Sequence, residues 1–159
     1  MIIGRDKQCV WDYPRPPVLE KDLRTIKVEF SGHIIAHSVC AYKVLETSHP
    51  PSFYVPEGDV VSTFFVPSNK QSFCEWKGLA KYWHIKVGSR IAFDAAWSYE
   101  RPHTAFFPIT AYLSFYSSLM DSCFVGEERV SSQEGGFYGG WVTSDIVGPF
   151  KGGPGTSSW

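Results

Sequence analysis

Period-two alternation of apolar and polar residues, interrupted by glycine and proline turn signals, runs through much of this chain. Residues 25–30 alternate cleanly, and segments 82–87 and 91–97 repeat the pattern on either side of Gly88. A helical period of 3.6 residues is hard to find. Such alternation is typical of strands that bury one face and expose the other. The sequence therefore predicts a mainly β domain, with antiparallel sheets, long ordered loops and little helix.

The length of the chain fits one domain. A chain of 159 residues can bury roughly 70% of its unfolded surface on folding. One hydrophobic core can therefore stabilise it without disulfides or a structural metal ion. We treat residues 1–159 as a single domain, with its core at about 11–155 and a glycine-rich C-terminal wrap at 134–159. Aromatic residues stand between the glycines of the wrap and should pin it to the domain, whereas the glycines allow tight turns.

The charge, hydropathy and cysteine pattern of the sequence exclude several kinds of partner and cofactor. The formal net charge is -1, without a basic stripe, so we expect no nucleic-acid partner. No apolar stretch reaches the ~18 residues of a membrane span, and residues 1–7 are polar, so we expect a cytoplasmic protein without a membrane partner. The four cysteines form no C-x-x-C pair, which predicts reduced thiols and neither metal nor other cofactor. These are Cys9, Cys40, Cys74 and Cys123.

The first predicted hairpin turns at Ser31-Gly32. Its register pairs three residues on each strand: Phe30 with His33, Val28 with Ile35 and Ile26 with His37. The two histidines would then share the apolar face, ~13 Å apart along the strand, which is too far to bind one metal ion. We expect structural histidines.

The second predicted hairpin surrounds Gly88-Ser89-Arg90. If the apolar residues of both strands lie on one face of the hairpin, the turn must have an odd length. The predicted pairs are then Val87–Ile91, Ile85–Phe93 and Trp83–Ala95, and Trp97 lies on the same face. On the other face, His84 would lie opposite Asp94, within reach of a hydrogen bond. This contact is either a functional pair or an ordinary surface pair.

Three segments combine aromatic and titratable residues more densely than a plain scaffold needs: 45–51, 72–78 and 135–141. Aromatic residues make up 16% of the chain, which fits either a bulky core or an aromatic-lined pocket. His49 precedes two prolines that restrict its backbone. If 73–77 is a strand, Cys74 and Trp76 share one face, while Glu75 and Lys77 lie on the other and can pair.

The leading hypothesis is a small-molecule pocket between two sheets, for a flat or cationic ligand, with nucleotide-like or heterocyclic ligands favoured. The candidate catalytic residues are His49, Cys74, Glu75 and Lys77. The candidate ligand-binding residues are Glu46, Trp76, Trp97, Tyr99, Tyr138 and Trp141.

Two alternatives belong to other functional classes. The first is a metal-free enzyme with Cys74 as nucleophile, His49 as base and Glu46 or Glu75 as the orienting group. The second is a non-catalytic interaction or scaffold module, including a homo-oligomer formed through surface aromatics. The tail 148–156 lacks the spacing of a phosphate-binding loop, although its backbone N–H groups could form an anion-binding nest.

Several motifs together resemble the family called domain of unknown function 427. They are WDYPRP at 11–16, LETSHPP at 45–51, SFCEWKG at 72–78, AAWSY at 95–99 and GGFYGGW at 135–141. The resemblance implies a β-tent (Mss4-like) arrangement, a class that includes zinc-binding modules, methionine sulfoxide reductases and an aromatic-cage domain. Members are sometimes described as nucleotidyltransferase-like, but that chemistry needs clustered acidic metal ligands beside a glycine-serine motif, and none has suitable spacing here.

Overall fold

The computed structural model describes residues 7–159, so nearly all of the polar opening at 1–7 lies outside the described residues. Strands hold 48% of the residues and helical turns 12%. The predicted mainly β class is confirmed. None of the described helices is long and apolar enough to cross a membrane.

Fifteen strands are seen in the described chain. They are β1 (Gln8–Cys9), β2 (Val18–Asp22), β3 (Ile26–Phe30), β4 (His33–Ser38), β5 (Ala41–Leu45), β6 (Ser52–Tyr54), β7 (Phe65–Cys74), β8 (Gly78–Val87), β9 (Arg90–Ser98), β10 (Ser114–Phe115), β11 (Ser122–Val125), β12 (Glu128–Arg129), β13 (Ser131–Ser132), β14 (Trp141–Val142) and β15 (Ile146–Val147). Short 3-10 turns lie at Val10–Asp12, Glu57–Asp59, Ser62–Phe64, Thr104–Ile109 and Ser117–Leu119.

The longer strands form three antiparallel sheets. Two have four strands, in the orders β10-β9-β8-β7 and β12-β11-β3-β4, and the third has the order β2-β5-β6. Two small two-stranded sheets are also present: β13-β14, and the parallel pair β1-β15, which joins the N-terminal and C-terminal parts of the described chain. The β-tent assignment stays a prediction.

The two four-stranded sheets share an apolar core. Ile26 and Val28 of β3 and Ile85 of β8 are fully buried in it. A second buried cluster is rich in tyrosine and lies where the β7–β10 sheet meets the β2-β5-β6 sheet. Its members include Tyr54, Tyr82, Trp97, Tyr99 and Tyr116. The first cluster holds the sheets together, and the second forms the surroundings of the candidate site.

The predicted register of the first hairpin is confirmed only for the pair next to the turn. Phe30 pairs with His33, but a bulge between Val28 and Glu29 shifts the rest by one residue, so that Lys27 pairs with His37. Because of the bulge, Ile35 and Ala36 both point into the core, while His33 and His37 are exposed. The prediction that the two histidines share the apolar face is wrong.

The second hairpin differs from its prediction in the same way. A two-residue turn at Gly88-Ser89 pairs Ile85 with Ala92, so the predicted odd-length turn is wrong. Ala92 is buried, whereas Ile91 and Phe93 are 40% and 65% exposed.

An irregularity opposite His84 then restores the inward face. Asp94 takes a left-handed conformation at φ +52°, and beyond it Trp83 pairs with Ala96 and Tyr82 with Trp97. The His84–Asp94 contact forms within this bulge. The backbone N–H of Asp94 donates to His84 Nδ1 at 3.0 Å, and the carboxylate lies 3.6 Å from the same nitrogen.

The C-terminal wrap packs closely on the domain. A Cβ at Gly139 would overlap the Trp97 ring, and one at Gly140 would overlap the carbonyl oxygen of Pro50. Trp11 Nε1 donates to the carbonyl oxygen of Pro149 at 2.8 Å. Glycine is therefore required where the wrap passes over a wall of the second cluster.

Candidate functional site

A cavity of about 630 Å³ lies between the β2-β5-β6 sheet and the β7–β10 sheet, and residues of the C-terminal wrap close it. Nine of the ten candidate residues from the sequence line this cavity. They are Glu46, His49, Cys74, Glu75, Trp76, Lys77, Trp97, Tyr99 and Tyr138. Four distant segments of the chain are thus brought to one place.

Trp141 is the candidate that does not belong to the cavity. It is fully buried in the core between the four-stranded sheets, with its ring stacked on Phe53 at 5.3 Å. Its indole N–H donates to the carbonyl oxygen of Phe115 at 2.9 Å. Its side chain lies in the core and does not line the cavity, where the sequence pattern predicts it.

The segment that carries Cys74, Glu75 and Lys77 is a hairpin turn and not a continuous strand. Strand β7 ends at Cys74, which pairs with Gly78 at the start of β8. The three intervening residues therefore do not alternate between two faces: Glu75 is exposed, whereas Lys77 is buried. No salt bridge joins Glu75 to Lys77 within residues 7–159, so the predicted pair is absent.

His103 holds this turn in place. Its backbone N–H donates to the carbonyl oxygen of Lys77 at 2.9 Å, and its ring Nδ1 lies 3.0 Å from the carbonyl oxygen of Trp76. Gly78 adopts φ +111°, a conformation that disfavours any side chain. The fixed backbone directs the Lys77 side chain into the cavity.

Lys77 brings a buried positive charge to the cavity. It is only 9% exposed, and no carboxylate of the described residues comes within salt-bridge distance. Its ammonium lies 5.9 Å from the ring centroids of both Tyr99 and Phe106. Burial opposes the charge, whereas attraction to Tyr54 and Cys74, once these groups ionise, and to Glu46 raises the pKa of Lys77. Lys77 is therefore a cation at neutral pH.

Tyrosine hydroxyls form the polar part of the cavity wall. The indole N–H of Trp97 donates to the hydroxyl of Tyr54 at 3.1 Å, and the hydroxyls of Ser72 and Tyr82 are 3.0 Å apart. Tyr116 donates its hydroxyl to the carbonyl oxygen of Phe137 at 2.7 Å. Burial raises the pKa of Tyr54 and Tyr116, so these phenols stay neutral.

His49 is held by Gln133 from the C-terminal part of the chain. Gln133 is 4% exposed. Its amide oxygen accepts from the Gly140 N–H at 3.0 Å, and its amide nitrogen donates to the Lys151 carbonyl oxygen at 2.7 Å. These partners fix which end is NH₂, and that NH₂ faces His49 Nδ1 at 3.2 Å. Nδ1 must therefore accept, and the proton of the neutral ring lies on Nε2.

The same surroundings keep the imidazole neutral. Burial lowers the pKa of His49 to about 4, with smaller contributions from the positive charges of Lys151, Lys77 and Arg15. His49 also contacts Tyr138 edge-on, with ring centroids 4.7 Å apart. At neutral pH His49 is thus an uncharged hydrogen-bond donor through Nε2.

Glu46 lies next to that donor. Its carboxylate oxygen is 3.9 Å from His49 Nε2, beyond hydrogen-bonding distance. Both groups line the cavity. They stand side by side as one donor and one acceptor without a direct bond between them.

Cys74 and His49 do not form a nucleophile–base pair in the described structure. His49 Nδ1 faces Gln133, and Nε2 has Glu46 as its nearest acidic neighbour. Cys74 is a free, half-buried thiol that lines the cavity with Lys77. The contacts of His49 therefore do not support its predicted role as the base for Cys74.

Sequence reasoning missed Arg15, Gln133 and Lys151, which all line the cavity. They come from segments that carry no catalytic pattern, and Gln133 is an uncharged residue just before the glycine-rich stretch. Within residues 7–159, no three His, Cys, Asp or Glu side chains are grouped so that they could bind a metal ion.

Comparison with protein-family models shows a match that covers most of the chain. A family model described as Domain of unknown function (DUF427) matches residues 18–126. The chain belongs to this family. The matched range contains His49 and the 72–78 turn, while Gln133, Tyr138 and Lys151 lie beyond it. No curated protein matches the chain.

Proposed function

We propose that this DUF427 domain binds a small, flat, anionic molecule in the cavity between its sheets. The observation that carries the proposal is the buried ammonium of Lys77, which has no carboxylate partner in the described chain. A buried charge is costly unless it is paired. An anionic group of a ligand would supply the missing partner.

The size and lining of the cavity support a small molecule. Its volume of about 630 Å³ lies within the range of roughly 300–1,000 Å³ that is usual for ligand pockets. Rings of Trp76, Trp97 and Tyr138 offer faces or edges to a flat ligand. Nucleotide-like and other heterocyclic anions have both the flat ring and the negative charge.

The charges at the cavity favour an anion over a cation. Arg15, Lys77 and Lys151 line it, against Glu46 and Glu75. Three of these groups, the cations, act together on His49 and lower its pKa. Burial is the largest cause of that lowered pKa, and the repulsion that these three cations add would act on a cationic ligand as well.

Matched probes separate these ligand classes. Indole-3-acetate and tryptamine share a ring but have opposite charges, and adenosine 5′-monophosphate and adenosine differ by a phosphate. At 100 times its Kd, a ligand stabilises the fold by about 2.7 kcal/mol, which raises the Tm by about 5–10 °C at this chain length. We expect that shift with an anionic member of at least one pair and little shift with its partner.

Lys77→Met should remove the shift, whereas the exposed Lys86→Met on β8 should keep it. Equal shifts from both members of each pair, or no shift from any of the four probes, would refute the proposal.

We also propose that the protein is located in the cytoplasm. Its four cysteines are free thiols, as is usual in that reducing compartment. Nucleotidyltransferase-like activity and self-association stay predictions.

A further inference from the structure

The strongest unexplained pair of polar groups in the cavity is His49 Nε2–H beside the Glu46 carboxylate. The Glu46 and His49 side chains are only 22% and 12% exposed. Even so, neither the Glu46 carboxylate nor His49 Nε2–H makes a hydrogen bond to another described side chain; the bond of His49 to Gln133 is at Nδ1. The 3.9 Å gap between them is too long for a hydrogen bond. It is short enough for both to contact neighbouring atoms on one edge of a ligand.

We propose that His49 and Glu46 recognise a ligand edge on which a hydrogen-bond acceptor stands next to a donor. His49 Nε2–H donates to the acceptor, and the Glu46 carboxylate accepts from the donor. The ligand class is a nitrogen heterocycle with a lactam or amino-imine edge. This inference rests on the proposed function, because it concerns the ring of the same ligand.

Gln133 is the positioning residue for this recognition. Its amide cannot be turned over, since the Gly140 N–H needs an acceptor and the Lys151 carbonyl needs a donor. A ring proton on Nδ1 would face the NH₂ of Gln133, donor against donor. The buried amide therefore holds His49 in the tautomer that donates through Nε2.

Burial and the nearby cations act in the same direction as Gln133. They keep the imidazole uncharged at neutral pH, so that it does not form a salt bridge with Glu46. The Glu46 carboxylate then remains free to accept from a ligand. A site with charged His49 would close this gap instead of presenting two complementary groups.

The tautomer can be measured without any ligand. Long-range ¹H–¹⁵N correlation spectra at pH 7 should show His49 with an unprotonated Nδ1 and a protonated Nε2. In Gln133→Glu, the new carboxylate accepts from Nδ1–H, and the pattern should invert. An Nδ1–H tautomer or an imidazolium ring in the wild-type protein would overturn the inference, whether or not the variant folds.

The ligand edge is tested with 2-pyridone and N-methyl-2-pyridone, which differ only in the lactam N–H. We expect 2-pyridone to bind about 10-fold more tightly, and this ratio to fall towards one in Glu46→Met, which has no acceptor, and in Gln133→Glu. Glu127→Met, at an exposed position that does not line the cavity, should keep it. Equal affinities in the wild-type protein would mean that the pair holds only water, and would overturn the inference.

The two proposals fail separately. If indole-3-acetate binds through Lys77 but both pyridones bind equally, the edge recognition is wrong and the anion site stands. If 2-pyridone is preferred but Lys77→Met changes no anionic probe, the proposed function is wrong and the His49–Glu46 pair still recognises its edge.

Discussion

Two lysines of this domain are almost equally buried but have opposite surroundings. Lys43 on β5 is 8% exposed, and its ammonium lies 3.2 Å from Asp22 and 3.6 Å from Glu20. Lys77 is 9% exposed and has no carboxylate within salt-bridge distance in the described chain. The fold itself compensates the first charge, whereas the second faces a cavity.

The difference shows how a structural charge can be told from a functional one. Asp22 also receives hydrogen bonds from Arg24, which contacts Asp145 in turn. That network ties β2, β5 and the C-terminal part together. A charge with such a network stabilises the fold, but a buried charge without one has a cost that a ligand can offset.

The largest effect is expected from breaking the compensated pair. Asp22→Asn leaves the buried Lys43 without its closest carboxylate, and we expect a loss of about 3–5 kcal/mol in the free energy of unfolding. Urea denaturation measures it. Glu20→Gln is the control, because Glu20 is 53% exposed in the side chain, and its loss should stay below about 1 kcal/mol. Similar losses for both variants would contradict the assignment.

The pH dependence of stability separates the two regions next. His49 has a pKa of about 4 when folded and 6.5 as a free side chain, so the unfolded chain binds its proton first as the pH falls. Stability should therefore decrease from pH 6.5 to 4, by up to about 3 kcal/mol. His49→Asn should flatten this range.

Asp22 acts in a lower window. Burial opposes its ionisation, but Arg24 and Lys43 outweigh that and lower its pKa from 3.8 to about 2. Its contribution is present above pH 3.8 and is lost as the pH falls towards 2. Asp22→Asn should change the pH dependence of the free energy of unfolding between pH 3.8 and 2 and leave it unchanged between pH 6.5 and 4. If Asp22→Asn altered only the upper range and His49→Asn only the lower one, both assignments would be contradicted.

A smaller effect is expected at the cavity wall. In Gly139→Ala, the new Cβ would overlap the Trp97 ring, and overpacking of this kind costs about 1–3 kcal/mol. Gly136→Ala is the matched control, since nothing lies within 4 Å of its Cβ position. Thermal unfolding of both variants checks this. Equal Tm values would mean that the wrap does not press on Trp97.

The smallest change in stability is expected for Lys77→Met. Met retains much of the buried side-chain volume and leaves no carboxylate without its partner, because Lys77 has none in the described chain. The free energy of unfolding should therefore change by less than about 1 kcal/mol. Lys43→Met should lower it instead, because it leaves Asp22 with Arg24 alone. A loss of stability in Lys77→Met comparable to that in Lys43→Met would remove the distinction between the two lysines.

The strands could be predicted because alternation reports directly which side chains are buried. The register could not, because a bulge adds residues without changing the composition of the strand. The second hairpin shows this: its two-residue turn places Phe93 on the surface, although Phe93 looks like a core residue in the sequence, and the left-handed Asp94 restores the inward face only beyond it.

The candidate site was partly predictable for a different reason. The segment 72–78 concentrates Cys, Glu, Trp and Lys in a short stretch, and all four line the cavity. Gln133 and Lys151 could not be found, because their role depends on contacts that long-range packing creates. Trp141 was misplaced because glycine-rich aromatic sequence does not reveal which ring points to the core.

The most direct measurement of the central claim is calorimetric titration of indole-3-acetate and tryptamine into the wild-type protein and Lys77→Met. We expect the wild-type protein to prefer the anion by at least about 10-fold, as for a hydrogen bond or contact to a charged group. Lys77→Met should lose that preference, and Lys86→Met should retain it. A wild-type protein that prefers tryptamine, or a preference for the anion that survives in Lys77→Met, would contradict the assignment of Lys77 as the ligand's counter-charge.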